Sequence, residues 1–236
     1  MRTTCNAIIL NRIKYGDNSY IFNAYTYELG KQAFIVNNSN LKRNKNLYHP
    51  LQILEIEFNY QENKKLHSIY SANPNYIFRD IPFNIFKSSI SVFIAQILNE
   101  TIREKFRNNE LYEYIESSIQ YLDTVEDMYS NFHIYFLIKL AKFIGFNPSN
   151  NYSKKNLYFN ISKGEFCEEK TNSCLGPNAS EIINYFLEAD IHTYQDIELN
   201  KDSRNILIDF IIRYYEYHIE RKLNIKSLNI IREIFF

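Results

Sequence analysis

The sequence predicts an α+β protein: an N-terminal five-stranded closed β-barrel of the OB-fold kind, followed by an all-helical C-terminal domain with an inserted hairpin. Three observations predict it. The first 75 residues hold short Ile, Val, Tyr and Phe-rich runs separated by turn formers. Past Pro82 the apolar spacing changes to three and four. Near 157 to 176 a short β-like stretch interrupts that helical pattern. The expected domains are therefore 1 to 75 and 76 to 236.

Taken in order, the expected strands are Ala7 to Tyr15, Ser19 to Thr26, Lys31 to Asn37, Leu51 to Tyr60 and Leu66 to Ala72. Gly16-Asp17-Asn18, Leu29-Gly30, the polar run from Asn37 to Asn46, and Gln61-Glu62-Asn63 separate them. In the fourth strand Leu54, Ile56 and Phe58 alternate with Glu55, Glu57 and Asn59, which puts the acids on a wet face. The first helix starts at a cap, Asn84, and carries Phe86, Ile90, Phe93, Ile94, Ile97, Leu98 and Ile102 along one side. Further helices are expected from Glu110 to Leu122, Asn131 to Ile144, Ser180 to Glu188, Asp202 to Arg221, and Ser227 to the end. Leu157 to Phe166 reads as a hairpin standing out of the helical domain.

The chain has 236 residues, 27 Lys and Arg against 27 Asp and Glu, and 45% apolar residues. That composition can fill a core and excludes a disordered charged tail. There is no run of eighteen apolar residues, and Met1 to Asn6 leads into a strand pattern without a signal-peptide core, so a cytoplasmic protein without a membrane partner is expected. Cys5, Cys167 and Cys174 are an odd number at unrelated spacings, which suits a reducing compartment. Five Gly and five Pro beside 20 Tyr and 18 Phe, with an excess of Ile, Asn and Lys, read as A and T codon bias. A single Tyr or Asn thus carries little weight here. The neutral total hides an asymmetry: residues 1 to 75 hold nine Lys and Arg against five acids, a balance of +4, and the remainder is −4. A basic barrel points to nucleic acid.

No enzyme motif stands out. The glycines match neither a P-loop nor a dinucleotide spacing, and His49, His67, His133, His192 and His218 are scattered singly. His133, on an apolar helix face, reads as a core histidine. Asp123, Glu126 and Asp127 could hold Mg²⁺ as a nuclease would, and read otherwise as a solvated acidic turn. Cys167 and Cys174 meet neither the spacing nor the ligand count of a zinc site, so free thiols, no metal and no cofactor are expected. The informative cations are Lys42, Arg43 and Lys45 in the long third loop, Lys31 after the Gly30 turn, and Arg12 and Lys14 at the end of the first strand. Tyr15, Tyr20, Tyr25, Tyr27, Phe34 and Tyr48 are interleaved with them. Cations for phosphates and aromatic faces for bases are how such barrels hold single strands. The alternative is that charged loops simply keep a small barrel in solution.

The series of fragments resembles the bacterial RecO family of DNA repair proteins, in the form found in Bacteroidetes. The N-terminal fragments are Ala7-Ile8-Ile9-Leu10, Lys14-Tyr15-Gly16-Asp17-Asn18-Ser19, Tyr25-Thr26-Tyr27-Glu28-Leu29-Gly30-Lys31-Gln32 and His49-Pro50-Leu51. In the helical part they are Ile81-Pro82-Phe83, Asn131-Phe132-His133 through Leu140, Ile144-Gly145-Phe146-Asn147-Pro148, Tyr214-Tyr215-Glu216-Tyr217-His218 and Lys226-Ser227-Leu228-Asn229-Ile230-Ile231-Arg232-Glu233. The resemblance implies a non-enzymatic recombination mediator. Such a protein binds single- and double-stranded DNA, anneals complementary strands, and works with RecR to load RecA onto DNA coated by single-strand-binding protein (SSB).

Three departures matter. Asn37-Asn38 stands where the family often has Arg-Gly, which shifts phosphate contact onto Lys42, Arg43 and Lys45. Only Cys167 and Cys174 are present where many members carry four zinc-binding cysteines, so zinc is not expected. Ile219-Glu220-Arg221 replaces the usual Pro or Gly after His218. The resemblance also implies a receptor for the acidic SSB tail, an apolar pocket rimmed by cations. Lys139 and Lys142 beside Phe136, Leu140 and Phe143 are the candidates, and they read equally as core apolars with solvating lysines. Other readings remain: a metal-dependent nuclease at Asp123, or a purely protein-binding adaptor.

Overall fold

The structure, a computed structural model, describes residues 2 to 37, 45 to 103 and 105 to 235; the side chains of Lys45 and Asn46 also lie outside the description. Five strands, β1 (Arg2–Tyr15), β2 (Ser19–Thr26), β3 (Gly30–Asn37), β4 (Ile53–Asn59) and β5 (His67–Pro74), form a closed barrel in the order β1-β2-β3-β5-β4. β1 closes it by running antiparallel to both β2 and β4, while β3 and β5 meet in a short parallel pairing, Phe34 opposite His67. This is the five-stranded OB arrangement expected from the sequence. Alternation decides the inside: Cys5, Ala7, Ile9, Phe22, Ala24, Phe34, Leu54, Ile56 and Phe58 fill the barrel. β1 begins earlier than its apolar run suggests, because Arg2 to Cys5 pair with β4 through backbone bonds that do not depend on side-chain polarity.

Two helices, α1 (Ile85–Thr101) and α2 (Asn109–Thr124), belong with the barrel to one compact unit, Met1–Thr124. Asn84 caps α1 as expected, its side-chain oxygen accepting from the N–H groups of Phe86 and Lys87. The helices cover part of the outer β2 surface. Tyr25 stacks on Tyr112 at 6.3 Å, and the Asn23 amide donates to the Asn99 side chain at 3.3 Å.

The acidic turn expected at Asp123 is something else. Its carboxylate is buried and accepts bonds from the Tyr76 hydroxyl (3.1 Å) and from the N–H groups of Arg79 (2.8 Å), Asp80 (2.9 Å) and Ile81 (2.9 Å). The buried Lys87 ammonium donates to the Asp123 carbonyl and pairs with Asp80 at 2.7 Å. Asp123 thus ties the segment after the barrel to the end of α2, with its lone pairs already used. That overturns both the solvated turn and the Mg²⁺ cluster of Asp123, Glu126 and Asp127. Among the described residues no three His, Cys, Asp or Glu side chains gather in a way that could hold a metal ion.

The second unit, Val125–Phe236, contains α3 (Phe132–Phe143), the hairpin β6 (Tyr158–Asn160) and β7 (Glu165–Cys167), α4 (Pro177–Glu188), α5 (Lys201–Ile219) and α6 (Leu228–Ile234). α4 starts three residues before the expected Ser180, because Pro177 at its first turn has the fixed φ a helix needs. The hairpin does not stand out. Phe159 and Phe166 are buried, and Phe159 meets Phe210 and Tyr214 of α5 edge-on at 5.6 and 5.8 Å. Gly164 closes the hairpin at φ +65°, where a Cβ would sit 2.9 Å from the Tyr214 hydroxyl. His133 is a core residue as expected, stacked on Phe235 at 5.6 Å.

Candidate nucleic-acid interface

The β1–β2 hairpin carries its apolar alternation out of the barrel and then exchanges it for cations. Lys14 lies opposite Tyr20 and Arg12 opposite Phe22, so these four share the face that deeper in the barrel is core. Arg12 and Lys14 are exposed, and the Arg12 guanidinium sits 5.6 Å from the Tyr20 ring centroid. Ile13 and Tyr15 are more than half exposed at the same tip.

The basic loop leaves from and returns to this end of the barrel. β3 ends at Asn37, opposite Ser19 of the hairpin, with Ser19 Oγ and Asn37 Oδ1 3.4 Å apart. The chain re-enters through the 3-10 turn Lys45–Tyr48, where Tyr48 stacks on Phe22 at 4.4 Å. His49 comes next, close to Arg12; burial first, and then the Arg12 charge, hold its imidazole below the ordinary pKa. Lys42 and Arg43 lie outside the described residues, as does the side chain of Lys45.

Lys31 is placed differently from the expectation. Its ammonium donates to the carbonyls of Asn99 and, at 3.0 Å, Ile102, at the C-terminal end of α1. Those carbonyls have no partners within their own helix and form the negative end of its dipole, so a lysine on a neighbouring strand is drawn there.

A second basic surface was missed by sequence reasoning. Between α1 and α2, Arg103, Lys105 and Arg107 are exposed around Phe106, which is 62% exposed. The Arg107 guanidinium lies 4.9 Å from the Tyr27 ring. The local run Arg103-Glu104-Lys105-Phe106-Arg107 was the available signal. Tyr27 lies just past the end of β2 remote from Ser19, so eight residues at ~3.3 Å each put the two surfaces about 26 Å apart along that strand.

In the second unit the residues proposed for an acidic tail separate. Phe136 and Leu140 are turned into the core, on the side of α3 that faces its neighbours. Lys139 donates to the Leu187 carbonyl at 2.8 Å near the end of α4, and burial foremost lowers its pKa, with Asp190 opposing and Lys142 adding to the shift. Lys142 is exposed beside the half-buried Phe143. An open apolar pocket lined by Phe136 and Leu140 is therefore absent; packing of α3 in the core is the reason. Among the described residues no helix is long and apolar enough to cross a membrane.

Residues 1–78 match the family model described as Recombination protein O N terminal, and residues 82–227 match the one described as Recombination protein O C terminal. Curated relatives carry the name DNA repair protein RecO. The chain is 29% identical to the one from Phocaeicola vulgatus over 233 residues, 30% to that of Bacteroides fragilis over 234, and 31% to that of Christiangramia forsetii over 234. In each case 97% of both chains is covered.

Proposed function

Since the chain belongs to the RecO family of DNA repair proteins, we propose that it is a non-enzymatic, cytoplasmic mediator that binds single- and double-stranded DNA and anneals complementary strands. In this reading it works with RecR to load RecA onto DNA covered by SSB. The observation that carries the reading is the exposed Arg12 and Lys14 beside the half-buried Tyr20, next to which both flanks of the Lys42, Arg43 and Lys45 loop are anchored.

The chemistry needed is modest. Two strands repel through their phosphates, and cations that replace condensed counterions lower that repulsion without reading sequence. Aromatic faces such as Tyr20 and Tyr15 hold bases unstacked and available for pairing. No bond is made or broken, so buried acid and base groups are not required. Lys31 serves the fold in this scheme, and Arg103, Lys105 and Arg107 offer a separate phosphate contact. For an SSB tail, exposed Lys142 with Phe143 is the remaining part of the proposed receptor.

The test is annealing of labelled complementary oligonucleotides, together with single-strand retardation over a salt series and incubation with Mg²⁺. An Arg12→Glu, Lys14→Glu double variant should weaken binding to all sequences and flatten the salt slope by roughly 1.4, at about 0.7 per lost phosphate contact. Cleavage products would sink the mediator reading. Absence of retardation by the unaltered protein at low salt would leave the adaptor.

A further inference from the structure

We propose that Cys167 and Cys174 are a redox couple that forms a reversible intramolecular disulfide, made by a hydroperoxide and undone by a dithiol. The two sulfurs are 3.6 Å apart, in van der Waals contact, and both cysteines are partly exposed. The fold brings them together from two sides of β6. Cys167 ends β7 and pairs with Tyr158, while Cys174 bridges to Asn160 on the other edge, held there by bonds from Ile161 N–H to the Ser173 carbonyl and from Leu175 N–H to the Phe159 carbonyl. Tyr158 and Asn160 point to one face of the strand, so their partners do too. The intervening residues, 168 to 173, are all exposed, which leaves them room to let the sulfurs close by the roughly 1.5 Å that a bond of about 2.05 Å requires.

The surroundings give the two thiols different roles. Cys174 Sγ accepts from the Thr171 N–H at 3.4 Å and lies 3.2 Å from the Thr171 hydroxyl. Burial alone would raise its pKa, but these bonds and the one from Cys167 bring it below the ordinary thiol value. Cys167 moves the other way, through burial first and then through its neighbour, and its sulfur also lies 3.2 Å from the carbonyl oxygens of Tyr158 and Glu169, which are alternative acceptors for its one S–H. Cys174 is thus the attacking thiolate and Cys167 the resolving thiol.

The step balances. The Cys174 thiolate attacks the terminal oxygen of the hydroperoxide; the O–O bond breaks and the alkoxide leaves as the alcohol after taking up a proton. The resulting sulfenic acid is attacked by Cys167 sulfur, forming S–S and releasing water. Two thiols lose two electrons and the hydroperoxide gains them. Cys5 offers an internal control, since it is 1% exposed inside the barrel and burial, with Glu28 adding, pushes its thiol up to about 12.

The experiment treats the full chain, in chelator-containing buffer, with cumene hydroperoxide and then counts thiols before and after unfolding. Before oxidation two thiols should react in the native state, and a third, Cys5, only on unfolding. Afterwards only Cys5 should remain, and digestion should yield a peptide pair lighter by two hydrogens that dithiothreitol restores. Cys167→Ser should instead stop at a sulfenic acid trapped on Cys174. Persistence of both native thiols, higher oxides of Cys174 in the unaltered protein, or disulfide-linked dimers in place of the internal bond would overturn the proposal.

Discussion

Two of the lysines singled out as binding cations, Lys31 and Lys139, end on carbonyls at the ends of helices. A lysine is a long arm with a strongly hydrated charge, and the same side chain serves a phosphate or a helix end according to what the fold puts within reach. Lys31→Ala should therefore lower unfolding stability by about 2 kcal/mol in urea titrations. Its single-strand affinity, measured on the folded fraction, should stay within twofold; a large fall would restore Lys31 to the interface. His133 sets a pH dependence by the same kind of placement. Burial first, and Arg204 second, depress its pKa from 6.5 to about 3, so it is neutral when folded. The unfolded chain binds a proton below pH 6.5 that the native state refuses, and stability falls as pH falls, by about 1.4 kcal/mol per unit from this group. Between pH 6.5 and 5 the loss from His133 is about 2 kcal/mol, and it stops near pH 3. A His133→Phe variant should keep only the shallower slope that His49 and His67, lowered in the same direction by burial, contribute.

Among the elements, the segment that leaves the barrel is held by a buried carboxylate as well as by the buried Phe78 and Ile81. The residues 79 to 81 present three N–H groups to one carboxylate, and Lys87 closes the arrangement from α1. Removing the Asp123 carboxylate leaves those three donors and the Tyr76 hydroxyl without their acceptor, while Lys87 keeps the main-chain carbonyl of residue 123 and the Asp80 carboxylate. Asp123→Ala should cost about 3 kcal/mol or more in the unfolding free energy, and Mg²⁺ should not alter the melting of either protein. A variant that melts like the parent would mean that water replaces the carboxylate at little cost. Sequence spacing identified Asp123 as notable for the wrong reason: neighbouring acids suggested a metal, while the partners that occupy it lie over forty residues earlier. The hairpin tip is the opposite case. Arg12 and Lys14 were legible as cations at a strand end because pairing across a tight turn is local, but not the face they take: a register shift between Ile9 and Asn11 moves these even-numbered residues onto the side that Cys5, Ala7 and Ile9 occupy deeper in the barrel.

For the whole molecule, charge is the property on which the proposed mediator role rests. In the proposed mediator role, the phosphate contacts are divided between the hairpin with its adjoining loop and the Arg103 to Arg107 surface. A Lys42→Glu, Arg43→Glu, Lys45→Glu triple variant should lower single-strand affinity at least tenfold and reduce the salt slope by about 2. An Arg103→Glu, Lys105→Glu, Arg107→Glu triple variant, assayed in parallel, should reduce annealing more than single-strand binding if that surface takes the second strand. Equal losses in both assays would make it part of one continuous site. The sequence by itself determined the barrel, the switch to helices, the short hairpin and the family, because each rests on periodicity, turn chemistry or ordered fragments that are local along the chain. Tertiary structure alone decided which cations remain open, that Phe136 and Leu140 are core, that Asp123 is a clamp, and that Cys167 meets Cys174. Those outcomes depend on which distant carbonyl, N–H or sulfur a side chain reaches, and residue type and spacing carry no record of such partners.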